Sequence, residues 1–280
     1  MKEIKFLIPY VIFTAFSYYF AKNGLIYASP FAFMGLRYLV ASGILLSVSR
    51  KLIFTKELLY LSLMTITSTM FWSYGLLYVS PAESAVLSYS MPLFSLPIAF
   101  LMVNEKPSRT ELFGIFIGFT GIIVYGLPLL QGFTEFGVIL TIINAFFWGM
   151  FTVFYRKLKD QDPVSINASQ MFIGGLIMMA LSPLDFSLKI SYNFLIDLAW
   201  MATFGGAVQF ILWNYMIRIS KVNRITVLAF SVPIFTMAFG AVMADVVPGI
   251  LSMAGVTIMF FGILISRFNG GIAIVDEAAN

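Results

Sequence analysis

The sequence predicts an all-α integral membrane protein of ten transmembrane helices, arranged as two inverted five-helix repeats. Three observations predict it: the composition, the spacing of the apolar runs, and a match between the two halves of the chain. Of the 280 residues, 60% are hydrophobic and 11% charged, and the mean hydropathy is +0.94. Soluble domains carry about 25% charged residues, so there is too little polar surface here to cover a water-facing fold. At about 20 apolar residues per spanning helix, ten spans take about 200 residues, and the remainder suffices only for loops and tails. Cysteine and histidine are both absent, which removes thiolate and imidazole metal sites, haem ligation, disulfides and histidine-assisted nucleophiles. No cofactor or metal is expected, and no enzyme.

Apolar runs bounded by charge and by Gly or Pro place the spans in order. The first half runs Lys5 to Ala21, Pro30 to Ser49, Leu58 to Val79, Glu83 to Val103 and Leu112 to Leu127. The second runs Phe136 to Tyr155, Pro163 to Leu181, Phe194 to Ile217, Asn223 to Met243 and Ile250 to Arg267. The first run lacks a small-x-small cleavage site and reads as a span, not a leader. Ser29-Pro30 and Asp162-Pro163 have the form of an N-cap followed by proline at the first helical position. Ser80 with Glu83, and Ser108 with Glu111, have capping-box spacing; for Glu83 this is preferred over a gating role.

The net charge is +4 with a pI near 9.2. In a membrane chain that balance signals topology, not nucleic acid, because Lys and Arg collect in cytoplasmic loops. Placing the N-terminus inside puts Lys2, Lys5, Arg50, Lys51, Lys56, Lys106, Arg109, Arg156, Lys157, Lys159, Arg218, Lys221, Arg224 and Arg267 on one side. Only Lys22 and Lys189 fall outside, and Arg37 lies within a span. A multi-pass cell-membrane protein with both termini cytoplasmic is expected, with a flexible tail after residue 267.

Sliding the chain by 141 residues superposes Pro92 on Pro233, Phe94 on Phe235, Met102 on Met243, Pro107 on Pro248, Gly114 on Gly255 and Gly121 on Gly262. Tyr74 falls on Tyr215, Trp72 on Trp213, Leu87 on Leu228 and Ser90 on Ser231. A weaker match, offset by 130, puts Ala15-Phe16 on Ala145-Phe146. Five spans per half is an odd number, so the halves lie in opposite senses. Basic residues follow the cytoplasm and not the repeat: Lys106 and Arg109 have no basic counterparts at Asp245 to Gly249, whereas Val79 to Glu83 is matched by Arg218, Lys221 and Arg224. The expected division is 1–133, 134–267 and a tail from 268 to 280. Inverted repeats of this kind are an architecture of secondary transporters, whose sites lie near mid-depth between the halves.

Tyr74 to Gly126, with Pro92, the Glu105-Lys106-Pro107 turn and Gly114, Gly118 and Gly121, resembles the drug/metabolite transporter superfamily, specifically its ten-helix EamA-type members. Pro30 with Arg37, Trp148-Gly149 and Arg156-Lys157 add to the resemblance, which covers essentially the whole chain. It departs where Asn104 stands for the usual glycine of a Gly-Glu-Arg-like turn and Val246 stands at the repeat position of Glu105. The resemblance implies a secondary transporter (exporter, facilitator or exchanger) of small polar metabolites, most commonly amino acids, working by alternating access. It also implies a cavity formed mainly by spans one, three, four, six, eight and nine, with the glycine-rich fifth and tenth at the periphery. The expected partners are a small-molecule substrate and the bilayer, with the protein a monomer or a homodimer through those peripheral helices.

Polar side chains in hydrocarbon are costly unless they face protein or a wet cavity. The candidates for lining a substrate cavity are Ser17 and Tyr18 in the first span, and Thr65, Thr69 and Trp72 on one face of the third. Ser88 and Tyr89 in the fourth, Asn144 and Trp148 in the sixth, Gln209 and Trp213 in the eighth and Thr226 in the ninth complete the set. Aromatic walls with a few amides suit a zwitterion or a flat organic solute. Plainer readings stand beside these: tryptophans at the headgroup level, Ser and Thr bonded to their own preceding turn, and Asn144 as an interhelical bond. Pro92 and Pro233 kink their helices, for packing or for a site. Arg37 either snorkels to the outer headgroups, pairs structurally or binds a carboxylate, and Lys22 is an interfacial anchor. Gly114, Gly118 and Gly121 share one face and permit close helix contact within the bundle or in a homodimer, while Gly174-Gly175 and Gly205-Gly206 mark close packing or hinges. No Asp or Glu falls in a span interior, with Asp197 near an end, so proton coupling through a buried acid is not expected. A substrate-driven facilitator or exchanger fits best, and a non-transporting receptor or accessory subunit of the same fold is the alternative.

Overall fold

The computed structural model describes residues 3–127, 135–244 and 249–267. The tail from 268, the boundary expected between 133 and 134, and the turn at 245–248 with Val246 and Pro248 lie outside the described residues. Among the described residues, ten spans are formed by thirteen helices. The first half contains α1 (Ile4–Gly24), α2 (Pro30–Ser49), α3 (Lys56–Tyr78), α4 (Pro81–Ser88) with α5 (Met91–Val103), and α6 (Arg109–Gly126). The second contains α7 (Glu135–Arg156), α8 (Pro163–Leu181), α9 (Tyr192–Ala202) leading into α10 (Gln209–Ile219), α11 (Val222–Leu228) with α12 (Ser231–Ala244), and α13 (Ile250–Arg267). Eight of these stretches are long and apolar enough to cross a membrane, and Ile250–Ser266 is a shorter apolar one. The remaining span is α3, 23 residues long and richer in Ser and Thr. Phe113, Phe116, Phe136, Leu101 and Phe261 are more than half exposed, a surface that lipid covers and water would not.

Local chemistry sets the ends. The Ser80 and Ser108 hydroxyls accept from the Glu83 and Glu111 amides, and each glutamate carboxylate accepts from the serine amide in return, so Glu83 is held in a capping box. Asp162 caps α8 through the Ser165 amide, 2.8 Å away. Asn104 ends α5 in the left-handed region at φ 52°, where glycine is cost-free and asparagine is the next best tolerated residue. That accounts for asparagine at the place where glycine was expected.

Three spans depart from the single helices expected. The fourth is broken at Tyr89-Ser90 and the ninth at Ala229-Phe230, two to four residues ahead of Pro92 and Pro233. Proline is tolerated in the first turn of a helix and not in its interior, so the chain ends one helix and starts another instead of bending one. Three-residue turns close the gaps: Ser90 N donates to Leu87 O (3.1 Å), Leu93 N to Ser90 O (3.0 Å), Phe230 N to Val227 O (3.1 Å) and Val232 N to Ala229 O (2.9 Å). The eighth span carries a π-helical turn over Thr203–Val208, containing Gly205-Gly206.

The halves interlock. α2 lies along α8, α3 along α7, and α6 along α13, while α1 packs against α9, α10 and α12. Exchanging the halves maps these pairings onto one another, as a twofold axis in the membrane plane requires. The clearest case is the α6–α13 seam. A Cβ on Gly121 would lie 2.6 Å from Gly255 O, and one on Gly114 2.7 Å from Gly262 O. These four glycines are repeat partners packed crosswise, so the stripe is occupied within the chain.

Candidate functional site

Between the halves, at mid-depth, lies a cavity lined by Tyr10, Thr14, Ser17, Tyr18, Arg37, Ser68, Thr69, Trp72, Ser88, Tyr89, Asn144, Trp148, Gln209 and Phe210. Its wall is built at the break between α4 and α5 and just beyond the π-turn, the two places where helix regularity is interrupted. A hydrogen-bonded chain crosses it: Ser68 Oγ donates to Asn144 Oδ1 (2.8 Å), and Asn144 Nδ2 donates to Ser88 Oγ (2.9 Å). Three spans are thereby tied through one amide, each net bond contributing about 1 kcal/mol. The Tyr10 and Tyr89 hydroxyls meet at 3.2 Å, and Tyr38 meets Thr69 behind the wall. Tyr18 stands edge-on to Trp72 with centroids 5.5 Å apart. On the repeat-related side Trp148 stands 6.2 Å from Trp213.

Ser17, Tyr18, Thr69, Trp72, Ser88, Tyr89, Asn144, Trp148 and Gln209 therefore stand around one cavity. Three other candidates lie elsewhere. Thr65 sits a turn away from it on α3, bonded to Leu61 O (2.9 Å) and Gln170 Oε1 (3.0 Å). Trp213 is fully buried behind Tyr10, stacked at 4.9 Å with its indole N–H on Thr152 Oγ1 (3.1 Å). Thr226 bonds back to Asn223 O (3.0 Å) inside α11, the local bond a threonine hydroxyl finds most easily. Pro92 and Pro233 do not line the cavity. The ninth span supplies no wall residue among those described, and the second, which was not expected to, supplies Arg37.

Arg37 is 4% exposed and does not snorkel. Its Nε donates to Met201 O (3.2 Å) and its Nη2 to Gly205 O (2.5 Å), carbonyls at the π-turn, where the regular helical bonding register is lost. Lys22 likewise does more than anchor: its ammonium caps the end of α3 at Leu76 O (2.6 Å), Leu77 O (3.1 Å) and Val79 O (3.1 Å). Asp197 lies in the second turn of α9, 5% exposed, on a separate pocket with Asn23, Tyr27 and Asn193. Tyr10, Thr14 and Phe210 were missed, and Ser68, one of the polar residues of the third span, joins the wall. Tyr10, Thr14, Ser17 and Tyr18 fall on one helical face by four- and three-residue steps, a signal that was present but hidden because Tyr10 counts as apolar.

At the end of the bundle that carries the N-terminus, the two halves are joined by charge. Glu105 Oε1 pairs with Arg156 Nε at 2.9 Å, and its Oε2 accepts from the Val222 amide at 2.8 Å. Arg156 also donates to Ile217 O and Arg218 O at the end of α10. Glu3 pairs with Arg224 at 2.7 Å and accepts from Ser220 Oγ at 3.3 Å. Burial pushes Glu3 up, but its backbone amide, Arg224 and Ser220 outweigh that and hold it below its ordinary value. Among the described residues, both ion pairs lie at this end.

A polar and aromatic cavity between inverted halves, reached through broken helices, defines the class: a membrane transporter. The chain belongs to the EamA-like transporter family, whose pattern matches residues 1–127 and 135–268. It is 47% identical over 235 residues to an uncharacterized transporter from the sor 3′ region of Acidianus ambivalens, covering 84% of this chain and 92% of that one. An uncharacterized transporter of Archaeoglobus fulgidus is 21% identical over 273 residues, covering 95% and 98%. A solved crystal structure superposes with a TM-score of 0.78 at 13% identity over 100% of this chain and 99% of that one, a likeness of fold alone.

Proposed function

We propose that this transporter is a secondary carrier of small polar metabolites, amino acids first among them, that works by alternating access as an exporter, facilitator or exchanger. It sits in the cell membrane with both termini in the cytoplasm, the orientation that the excess of Lys and Arg at the N-terminal end favours. The observation that carries the reading is the mid-depth cavity, which joins hydroxyls, two amides and aromatic rings from both halves at a helix break. On this reading the end that carries the N-terminus is the closed one, held by Glu105–Arg156 and Glu3–Arg224, and the cavity opens toward the opposite face. Opening of the inner end breaks those pairs as the halves rock about the glycine seam of α6 and α13. None of the fourteen residues around the cavity is a carboxylate, and Asp197 stands apart from it, so the solute gradient supplies the drive.

Counterflow tests this. Protein-loaded liposomes with trapped unlabelled amino acids and no ion gradient are expected to accumulate labelled amino acid beyond the molar amount of protein, and a Trp72→Ala variant to lose that accumulation. Uptake that saturates at one solute per protein would mean a receptor or accessory subunit. Steep dependence on an imposed pH gradient would overturn the substrate-driven reading.

A further inference from the structure

We infer that the solute is recognised by a carboxylate, which docks on Arg37 and the indole N–H of Trp72; the inference rests on reading the cavity as the substrate site. An ionised group in a low-dielectric interior needs a counter-charge or a full set of hydrogen bonds. Arg37 has neither. Its Nε and Nη2 are met by the Met201 and Gly205 carbonyls, while Nη1 reaches only the Met34 thioether at 3.5 Å, a weak acceptor. Among the described residues no carboxylate pairs with it.

The cavity wall holds two further buried polar atoms without a partner, Trp72 Nε1 and Thr14 Oγ1. The Arg37 guanidinium carbon lies 5.8 Å from the Trp72 ring centroid and 5.4 Å from that of Tyr38, so the guanidinium and the indole are neighbours in the cavity wall. Both are donors, and one carries charge. A planar group with two acceptor oxygens and one negative charge satisfies the pair, as carboxylates satisfy arginine elsewhere. Tyr18, beside Trp72, and Trp148 and Phe210 complete the aromatic part of the wall, which suits an apolar or aromatic body. The two backbone bonds also fix the guanidinium in place, so the site is formed before the solute arrives. With no acid on the wall, an α-ammonium finds only neutral oxygens such as those of Asn144 and Gln209, so a deaminated acid is expected to bind at least as well as the amino acid.

The test uses the purified full-length chain and its thermal unfolding midpoint with three forms each of phenylalanine, leucine and glutamine: the amino acid, its amide and its deaminated acid. At least one parent is expected to protect in both carboxylate forms and not as the amide. Arg37→Gln is expected to erase a carboxylate preference of about 10- to 100-fold, while Arg37→Lys retains part of it. Trp72→Phe keeps the ring and removes the N–H, and weakens the carboxylate forms about fivefold. A purely structural Arg37 would lower the ligand-free midpoint and leave the acid-to-amide ratio unchanged. Amides protecting as well as acids, an Arg37→Gln variant that keeps the preference, or no protection by any carboxylate would overturn the assignment. Flux of a solute without a carboxylate would sink this inference and leave the carrier reading standing; carboxylate protection without flux would do the reverse.

Discussion

The two ends of the bundle solve one problem with the same device and then diverge. At one end Lys22, in the last turn of α1, caps the carbonyls of Leu76 and Leu77. At the other, Arg156, in the last turn of α7, caps those of Ile217 and Arg218. The carbonyl pairs are repeat partners, 141 residues apart, so both are the first helix of a half holding the end of its third with a cation, where the helix dipole favours one. The difference is Glu105, which joins Arg156 to the N-terminus of α11 and whose repeat position is Val246. An inverted repeat with identical ends would favour neither access state. If the protein works by the proposed alternating access, the added carboxylate of Glu105 is expected to bias the balance toward closure of its own end.

Glu105→Gln tests the difference most severely. It removes a charge-assisted pair whose partners are 11% and 19% exposed, and a pair of this kind shifts the balance of the two access states by about 1–3 kcal/mol, or roughly 5- to 150-fold. The measurement is the ratio of labelling from the two faces at a cavity thiol, with fold stability little changed. Asn144→Ala separates the centre from the ends. It strips Ser68 and Ser88 of their shared partner, so stability is expected to fall by about 1–3 kcal/mol in thermal unfolding, with exchange lost and sidedness unchanged. Lys22→Met removes the cap without the cross-link, and a loss of about 1 kcal/mol in stability is expected, with no shift in sidedness. A shift as large as that of Glu105→Gln would show that the two ends are equivalent after all.

The smallest effect is that of Glu3. Its carboxylate is held below the ordinary value of 4.5, so its contribution to closure is present above that pH and is lost as the pH falls through its folded value. Because Arg224 is 43% exposed, about 0–1 kcal/mol is at stake. Sidedness is therefore expected to be flat across the neutral range and to relax only in acid, and Glu3→Gln to remove that acid limb.

What the sequence made legible follows from what periodicity and charge can encode. α2, α8 and α13 begin and end where Pro30, Arg50, Pro163 and Arg267 said they would, because caps and charges are local signals. The inverted repeat was visible in Gly114, Gly121, Gly255 and Gly262, since at this seam a side chain's Cβ would fall 2.6–2.7 Å from a carbonyl of the facing helix and only glycine fits. Much of the cavity wall was legible too, because Ser88, Thr69 and Asn144 are costly in hydrocarbon without a reason. The fate of Arg37 was not, since its partners are backbone carbonyls at a π-turn, and backbone groups leave no mark on the sequence. Trp213 misled for the opposite reason: the repeat places it on Trp72, but Thr152 takes its N–H and Tyr10 covers its face. Symmetry fixes position along a helix, and neighbours decide which of two equivalent rings meets solvent.

The chain has no cysteine, so Ser17→Cys provides a single thiol in the cavity wall, and labelling it in oriented liposomes with a membrane-impermeant reagent is the most direct measurement. Labelling from the face opposite the N-terminus, shifting toward the N-terminal face when Glu105→Gln is added, is the expected result. Labelling from the N-terminal face in the parent, or the same sidedness with and without Glu105, would contradict the central claim that one carboxylate holds the inner end closed.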